Sequence, residues 1–233
     1  MANDDFDIAE LASYLHLTPQ QVERLATRAR LPGRRVAGSW RFARAEIHHW
    51  MEDRLGLVDD EELARMEANL TRHAPTDETV HVSQYLRIEA IATPLHGRTK
   101  GSVIRAMAEL AANAGLLWDP DELAKAVQRR EELHSTAIDN GVALLHPRRP
   151  MPDIIADGFL ALGVTPQGIP FGGGAQLTDL FFLIASLDDR SHLRTLARLS
   201  RLVSNEFLLD EIRQAGSPES IHQLMKDAES ELA

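Results

Sequence analysis

The 233-residue chain has no cysteine. A disulfide scaffold, a thiol nucleophile, an iron–sulfur cluster and a cysteine-ligated zinc are therefore excluded. Long apolar runs are also missing. The longest, Leu180 to Leu187 with Ser186 inside it, falls far short of the ~20 residues that cross a bilayer. The first residues, Met1-Ala-Asn-Asp-Asp, are acidic and lack the basic-then-apolar order of a signal peptide. Low-complexity tracts and internal repeats are absent too. A protein in the cytoplasm, with no membrane contact, is expected. Aromatics make up only 5%, but the hydrophobic fraction of 44% is ample for packed cores and rules out a wholly disordered chain.

The net charge of −10 is unevenly spread. Residues 1–55 balance eight arginines against eight acids, whereas residues 56–80 hold two arginines against seven acids. Within the balanced part, Arg24, Arg28, Arg30, Arg34, Arg35, Arg41 and Arg44 face Glu23 alone between positions 19 and 44. Such a basic patch on an acidic protein points to an anionic partner.

Residues 1–55 read as a small, mainly helical domain. Ile8, Leu11, Ala12 and Leu15 have helical spacing, and Thr18-Pro19 is an N-cap followed by proline at the first helical position. Val22, Leu25 and Ala26 form the stripe of a second helix. Two short apolar runs around Ala37-Gly38-Ser39 signal a hairpin, and Ile47, Trp50 and Met51 mark a third helix. This is the plan of a winged helix-turn-helix. Gln20, Gln21, Arg24 and Arg28 would face a major groove, while Arg34, Arg35 and Arg41 on the hairpin would meet phosphates of double-stranded DNA. Trp40 and Phe42 would anchor the wing. A protein-docking module and a vestigial domain are the alternatives. His48 and His49 are adjacent, cannot chelate one metal as an i,i+4 pair could, and read as surface residues.

Residues 56–79 read as an acidic linker, with a short helix from Asp60 to Leu70. Beyond it, from residue 80 to 233, helices and strands alternate. Helices are expected at Ser102–Ala114, Asp121–Leu133, His192–Val203 and Glu219–Ala228. Strands are expected at Val142–Leu145, Gly158–Val164 and Leu180–Leu187. That alternation predicts an α/β fold. His146 ends one strand, and His192 follows the strongest strand at the start of a helix, where open α/β sheets place reactive groups. On these grounds alone, a buried structural histidine is the commoner explanation for either.

Longer matches narrow the choice. Ile8-Ala-Glu-Leu-Ala-Ser-Tyr-Leu15, Leu31-Pro, Val36-Ala-Gly-Ser-Trp-Arg-Phe42 and Ile47-His-His-Trp50 resemble the excisionase-type, MerR-related helix-turn-helix family. Arg130-Glu-Glu-Leu-His-Ser-Thr-Ala-Ile-Asp-Asn-Gly-Val-Ala-Leu-Leu-His146 resembles the IIA domain of the mannitol/fructose and nitrogen-regulatory branch of the bacterial phosphotransferase system. So do Leu180-Phe-Phe-Leu-Ile-Ala-Ser with His192-Leu-Arg-Thr-Leu196, and the tail from Ile212 to Ala228. The resemblance implies a mixed sheet flanked by helices, with His146 accepting a phosphoryl group from an HPr-type phosphocarrier and His192 beside it. It further implies that Arg130, Ser135 and Thr136 surround the phosphate. No cofactor and no metal are called for.

The chain departs from that family's Pro-His-Gly signature, since it reads Leu145-His146-Pro147, and proline offers no amide N–H. His134, Ala137 and Asp139 replace glycines of the preceding loop. Arg148 and Arg149 can return positive charge. A domain that binds without transferring phosphate is the alternative these changes favour. Pro94-Leu-His96-Gly97-Arg98 copies the signature out of context, and Gly97–Ser102 fails P-loop spacing. Gly172-Gly-Gly174 reads as a turn. With both sites on one chain, the expectation is a regulator whose phosphorylation alters DNA binding. A homodimer is expected, because so small a head needs two copies for a firm grip on DNA.

Overall fold

The computed structural model describes residues 5–15, 17–55, 64, 81–172 and 176–232. The chain divides into two compact units, Met1–Asp77 and Glu78–Ala233, and each is described by itself.

The first unit runs β1 (Asp5–Phe6), α1 (Ile8–Leu15), α2 (Pro19–Thr27), β2 (Arg34–Val36), β3 (Ser39–Ala43) and α3 (Arg44–Leu55). Thr18 starts α2 with a capping box: its hydroxyl accepts the Gln21 amide at 3.3 Å, and the Gln21 side chain accepts the Thr18 amide at 2.7 Å. The wing turns where the sequence places it. Ala37 and Gly38 have φ of 50° and 83°, the two left-handed positions of a type I′ turn whose twist suits a hairpin. Val36 then pairs with Ser39, and Arg34 with Arg41. Leu11, Val22, Phe42 and Ile47 are wholly buried. Trp40 stacks on Phe42 with centroids 6.0 Å apart, so the aromatic pair joins the wing to this core. His48 corrects the reading of a surface residue. It is buried, and its Nε2 lies 2.9 Å from the Tyr14 hydroxyl. The expected helix from Asp60 to Leu70 lies, except for Ala64, outside the described residues.

The second unit begins with α4 (Val82–Tyr85), β4 (Leu86–Ala92), α5 (Lys100–Asn113), α6 (Pro120–Leu133) and β5 (Val142–Leu145). It continues through β6 (Phe159–Ile169), β7 (Thr178–Ala185), α7 (Asp189–Val203), α8 (Glu206–Gln214) and α9 (Pro218–Glu231). The four-stranded sheet has the order β4-β6-β7-β5. β4 runs parallel to β6, β6 antiparallel to β7, and β5 parallel to β7, so the sheet is mixed and flanked by helices, as expected. Three elements, the short α4 among them, escape the sequence patterns. β4 exposes Arg87, Ile88 and Glu89 in succession, which breaks the alternation of a strand. α8 lies in a stretch the periodicity leaves unassigned. The core gathers Met107, Leu123, Leu145, Ala161 and Phe181 between α5, α6 and the sheet. Behind the sheet, the buried Glu229 carboxylate accepts the Val82 and Ser83 amides at 2.6 and 3.0 Å and fixes the start of α4.

Candidate functional site

Parallel pairing brings the two histidines of interest together. Leu145, the last residue of β5, stands opposite Leu183 of β7, so both strands deliver the chain to the same end of the sheet. β5 continues into His146. β7 ends at Ala185, and Asp188 caps α7, which places His192 in that helix's first turn. The two imidazole centroids are 4.9 Å apart, tilted by 49°. Asp188 accepts the Arg190 and Ser191 amides at 2.9 and 3.0 Å and also bonds the Ser191 hydroxyl. The first amides of the 15-residue α7, beside the histidine pair, are thus taken by the Asp188 carboxylate.

A single hydrogen bond assigns the roles of the His146 nitrogens. Nδ1 lies 2.7 Å from the Leu144 carbonyl oxygen. A carbonyl only accepts, so Nδ1 carries the proton, and in the neutral ring Nε2 keeps the lone pair. His146 is 2% exposed and His192 7%. The imidazole pair is therefore well positioned but nearly covered.

The preceding loop is organised by a residue that the sequence reading quoted but gave no role. Glu131 accepts the Thr136 amide at 3.0 Å and the Ser135 hydroxyl at 3.3 Å, and it also bonds the Thr136 hydroxyl. Lys100 reaches the same carboxylate at 3.0 Å, over the Phe171 ring. The loop then runs beside β5: the Leu144 amide donates to the Thr136 carbonyl, and the Ile138 amide to the Val142 carbonyl. Arg130 is buried as well, and its Nη1 donates to the His134 carbonyl at 2.8 Å, closing the end of α6. These bonds of Arg130, Ser135 and Thr136 thus shape the α6 terminus and the loop. A signal for Glu131 is present in the sequence. Leu123, Val127, Arg130 and Glu131 follow i, i+4, i+7, i+8 spacing, so two charged residues occupy the apolar stripe of a helix and require buried partners.

The replaced glycines cause no strain. Neither Ala137 nor Asp139 has a positive φ; Gly141 takes that role at +84°. A Cβ at Gly141 would meet Arg213 Nη2 at 2.8 Å and Asp179 Oδ1 at 3.1 Å. Those two groups pair with each other at 2.9 Å, which pins the start of β5.

In the first unit, Gln20, Gln21 and Arg24 on α2 and Arg28 at its C-cap are exposed, although Gln21 also serves the capping box. Arg34 and Arg35 are exposed and Arg41 is half-buried. Arg34 pairs with Asp5 at 2.7 Å, which offsets the repulsion of its cross-strand partner Arg41. Arg35 lies over the Trp40 ring at 5.2 Å. Among the described residues no three His, Asp or Glu side chains converge as metal ligands, and no helix is long and apolar enough to cross a membrane.

Comparison with known proteins agrees with both halves. Residues 84–228 match the family described as phosphoenolpyruvate-dependent sugar phosphotransferase system, EIIA 2, and residues 6–55 match a helix-turn-helix domain. A nitrogen regulatory protein of Escherichia coli is 27% identical over 154 residues, covering 66% of this chain and 94% of its own. Another from Bradyrhizobium diazoefficiens is 30% identical over 126 residues, covering 52% of this chain and 80% of its own. The crystal structure of nitrogen regulatory protein IIA-Ntr from Neisseria meningitidis shares the fold with a TM-score of 0.56 at 17% identity, over 62% of this chain and 98% of that one. Its sheet, its histidine-bearing strand end and the span of the match lead to one conclusion: the chain belongs to the type 2 EIIA family of the phosphotransferase system, with a helix-turn-helix domain ahead of the EIIA region.

Proposed function

We propose that residues 80–233 form a phosphohistidine carrier, that residues 1–55 bind double-stranded DNA, and that an acidic linker of residues 56–79 joins them. The observation that carries the first part is the His146 ring, held by its Nδ1–H on the Leu144 carbonyl with a second imidazole beside it. In the transfer, Nε2 of His146 attacks the phosphorus of a phosphohistidine on an HPr-type protein. The new N–P bond forms as the donor's N–P bond breaks, and the donor imidazole leaves with the electron pair and takes up a proton. The reaction is mainly one of positioning and of spreading negative charge. His192 and the Arg130 cation supply that, with Ser135 and Thr136 lining the loop. No metal takes part. The carrier works in the cytoplasm, where phosphodonors of this kind are made.

The nearly complete cover over His146 means that the donor must open a path to Nε2, and Pro147 removes one amide from that path. These two facts favour a second reading, in which the EIIA unit responds to a partner without accepting phosphate. Incubation with the phosphorylated donor separates the two. Wild type should gain an acid-labile phosphate, His146→Ala none, and His192→Ala a reduced amount. Label that persists in His146→Ala would remove the assignment of the nucleophile, and no label in wild type would establish the second reading.

In the head, Gln20, Gln21, Arg24 and Arg28 read base edges while Arg34, Arg35 and Arg41 meet phosphates, with two heads on two half-sites in a homodimer. Phosphorylation of His146 changes the grip of the head. DNA affinity measured by fluorescence anisotropy at fixed salt, with and without phosphorylation, tests this. Equal affinities would defeat the coupling.

A further inference from the structure

The loop before β5 lies along the outer edge of that strand as a short antiparallel partner. The Ile138 amide donates to the Val142 carbonyl at 2.9 Å and the Leu144 amide to the Thr136 carbonyl at 3.2 Å, with Ala137 opposite Ala143 between them. In this register residues 136 and 144 are a hydrogen-bonded pair, whose members exchange two bonds. The bond from Leu144 to Thr136 is the first. In place of the second, the Thr136 amide turns to a Glu131 carboxylate oxygen at 3.0 Å, and the Thr136 hydroxyl bonds the same oxygen. The Leu144 carbonyl that this amide leaves is the one that accepts His146 Nδ1–H at 2.7 Å.

The strengths of the two acceptors explain the substitution. A hydrogen bond to an ionised group is roughly twice as strong as one between neutral groups. Glu131 is buried in the last turn of α6, and its other oxygen receives the Lys100 ammonium at 3.0 Å. The Thr136 amide therefore gains more from the carboxylate than from a peptide carbonyl. We propose that Glu131 is a positioning residue for His146: by holding the Thr136 amide, it reserves the Leu144 carbonyl for the imidazole and so fixes the tautomer with the lone pair on Nε2. Without the carboxylate, the Thr136 amide competes for its ladder partner and the ring loses its anchor. The consequence for phosphoryl transfer rests on the phosphocarrier reading, whereas the protonation of the ring does not.

Long-range proton–nitrogen NMR on the full chain, labelled with nitrogen-15 histidine, reads which ring nitrogen carries the proton. A pH of about 8 keeps an ordinary imidazole neutral, and His146→Ala assigns the signal. Wild type should show the Nδ1–H form. Glu131→Gln keeps a carbonyl oxygen for the Thr136 amide and should retain that form. Lys100→Met removes the ammonium without freeing the amide and should retain it as well. Glu131→Leu fills the apolar stripe of α6 but accepts no hydrogen bond, and it should convert at least half of the ring to the Nε2–H form. Glu131→Ala should do the same, with dispersed amide spectra confirming that each variant folds. Given the phosphorylated donor, Glu131→Leu should lose at least half of the saturating rate at an unchanged half-saturating donor concentration, because the buried carboxylate does not meet the donor. A ring identical to wild type in both Glu131→Leu and Glu131→Ala would overturn the proposal, since the Leu144 carbonyl would then serve both donors through its two lone pairs. An equal change in Lys100→Met would overturn it too, because general loosening rather than the freed amide would be the cause. A ring that responds to Glu131 in a chain that takes no phosphate keeps the positioning role and removes the phosphoacceptor; phosphate on a ring that does not respond gives the reverse.

Discussion

At the scale of single residues, the second unit depends on charged groups taken into the interior with their partners. Glu131 is 4% exposed and ties Lys100, Ser135 and Thr136 together. Glu131→Ala leaves the Thr136 amide and a half-buried ammonium without their acceptor. Loss of one partner from a buried pair costs roughly 3–5 kcal/mol, so urea denaturation should show a fall of that order. A loss below about 1 kcal/mol would show that the carboxylate is dispensable. Asp188 offers a test with pH. Burial pushes its carboxyl up, but hydrogen bonds from the Ser191 hydroxyl and from the Ser191 and Arg190 amides outweigh it and hold the group below the usual carboxylate range. A group depressed in the folded state adds stability above its unfolded value, and that contribution disappears as pH falls through the folded value. Asp188→Asn should keep the helix cap at neutral pH within about 0.5 kcal/mol. Below the ordinary carboxylate range its melting temperature should fall less steeply than that of wild type. Parallel acid curves for the two proteins would contradict the assigned role.

Elements show where local sequence decides structure and where it does not. Ala37 holds the first left-handed position of the wing turn, where alanine costs about 1 kcal/mol relative to glycine, which lacks the Cβ, or to asparagine, whose side chain can hydrogen-bond the local backbone. Ala37→Asn should raise the stability of the head by a similar amount in thermal unfolding, and a lower melting temperature would refute the turn assignment. The reverse holds at Gly141: alanine there adds left-handed strain and a contact with Arg213, and should cost at least 1–2 kcal/mol. The first turn was legible from Ala37-Gly38-Ser39; the second was not read, although the Asn140-Gly141 pair carries a turn signal. Helices α2 and α6 were legible from Thr18-Pro19 and Asp119-Pro120, since caps are chemical signals read within a few residues. β4 was not. Its exposed Arg87, Ile88 and Glu89 obey no strand period, and it becomes a strand through pairing with β6, far away in the chain. The Glu131 network was half legible: the charged pair on an apolar stripe announces a buried partner, but only the folded chain shows that Lys100 and the 135–136 backbone supply it. His48 misled for the same reason, since its partner Tyr14 lies on another helix.

For the whole molecule, the proposals make separate demands of each unit. DNA binding by the head should weaken as salt rises, and each phosphate contact removed by Arg35→Ala or Arg41→Ala should lower the slope of log affinity against log salt by about 1. Arg24→Ala should relax sequence preference more than it changes the slope. A slope that neither wing variant changes would move the head from DNA to a protein partner. For the EIIA unit the decisive quantity is the atom that receives phosphorus, because the hydrogen bond from His146 Nδ1 to the Leu144 carbonyl leaves only Nε2 to attack. Phosphorus–nitrogen coupling, observed by NMR on chain carrying nitrogen-15 histidine after incubation with the phosphorylated donor, reads that atom directly. The account predicts one phosphorylated imidazole, His146, substituted at Nε2. Phosphate at Nδ1, on His192, or on no histidine at all would contradict it.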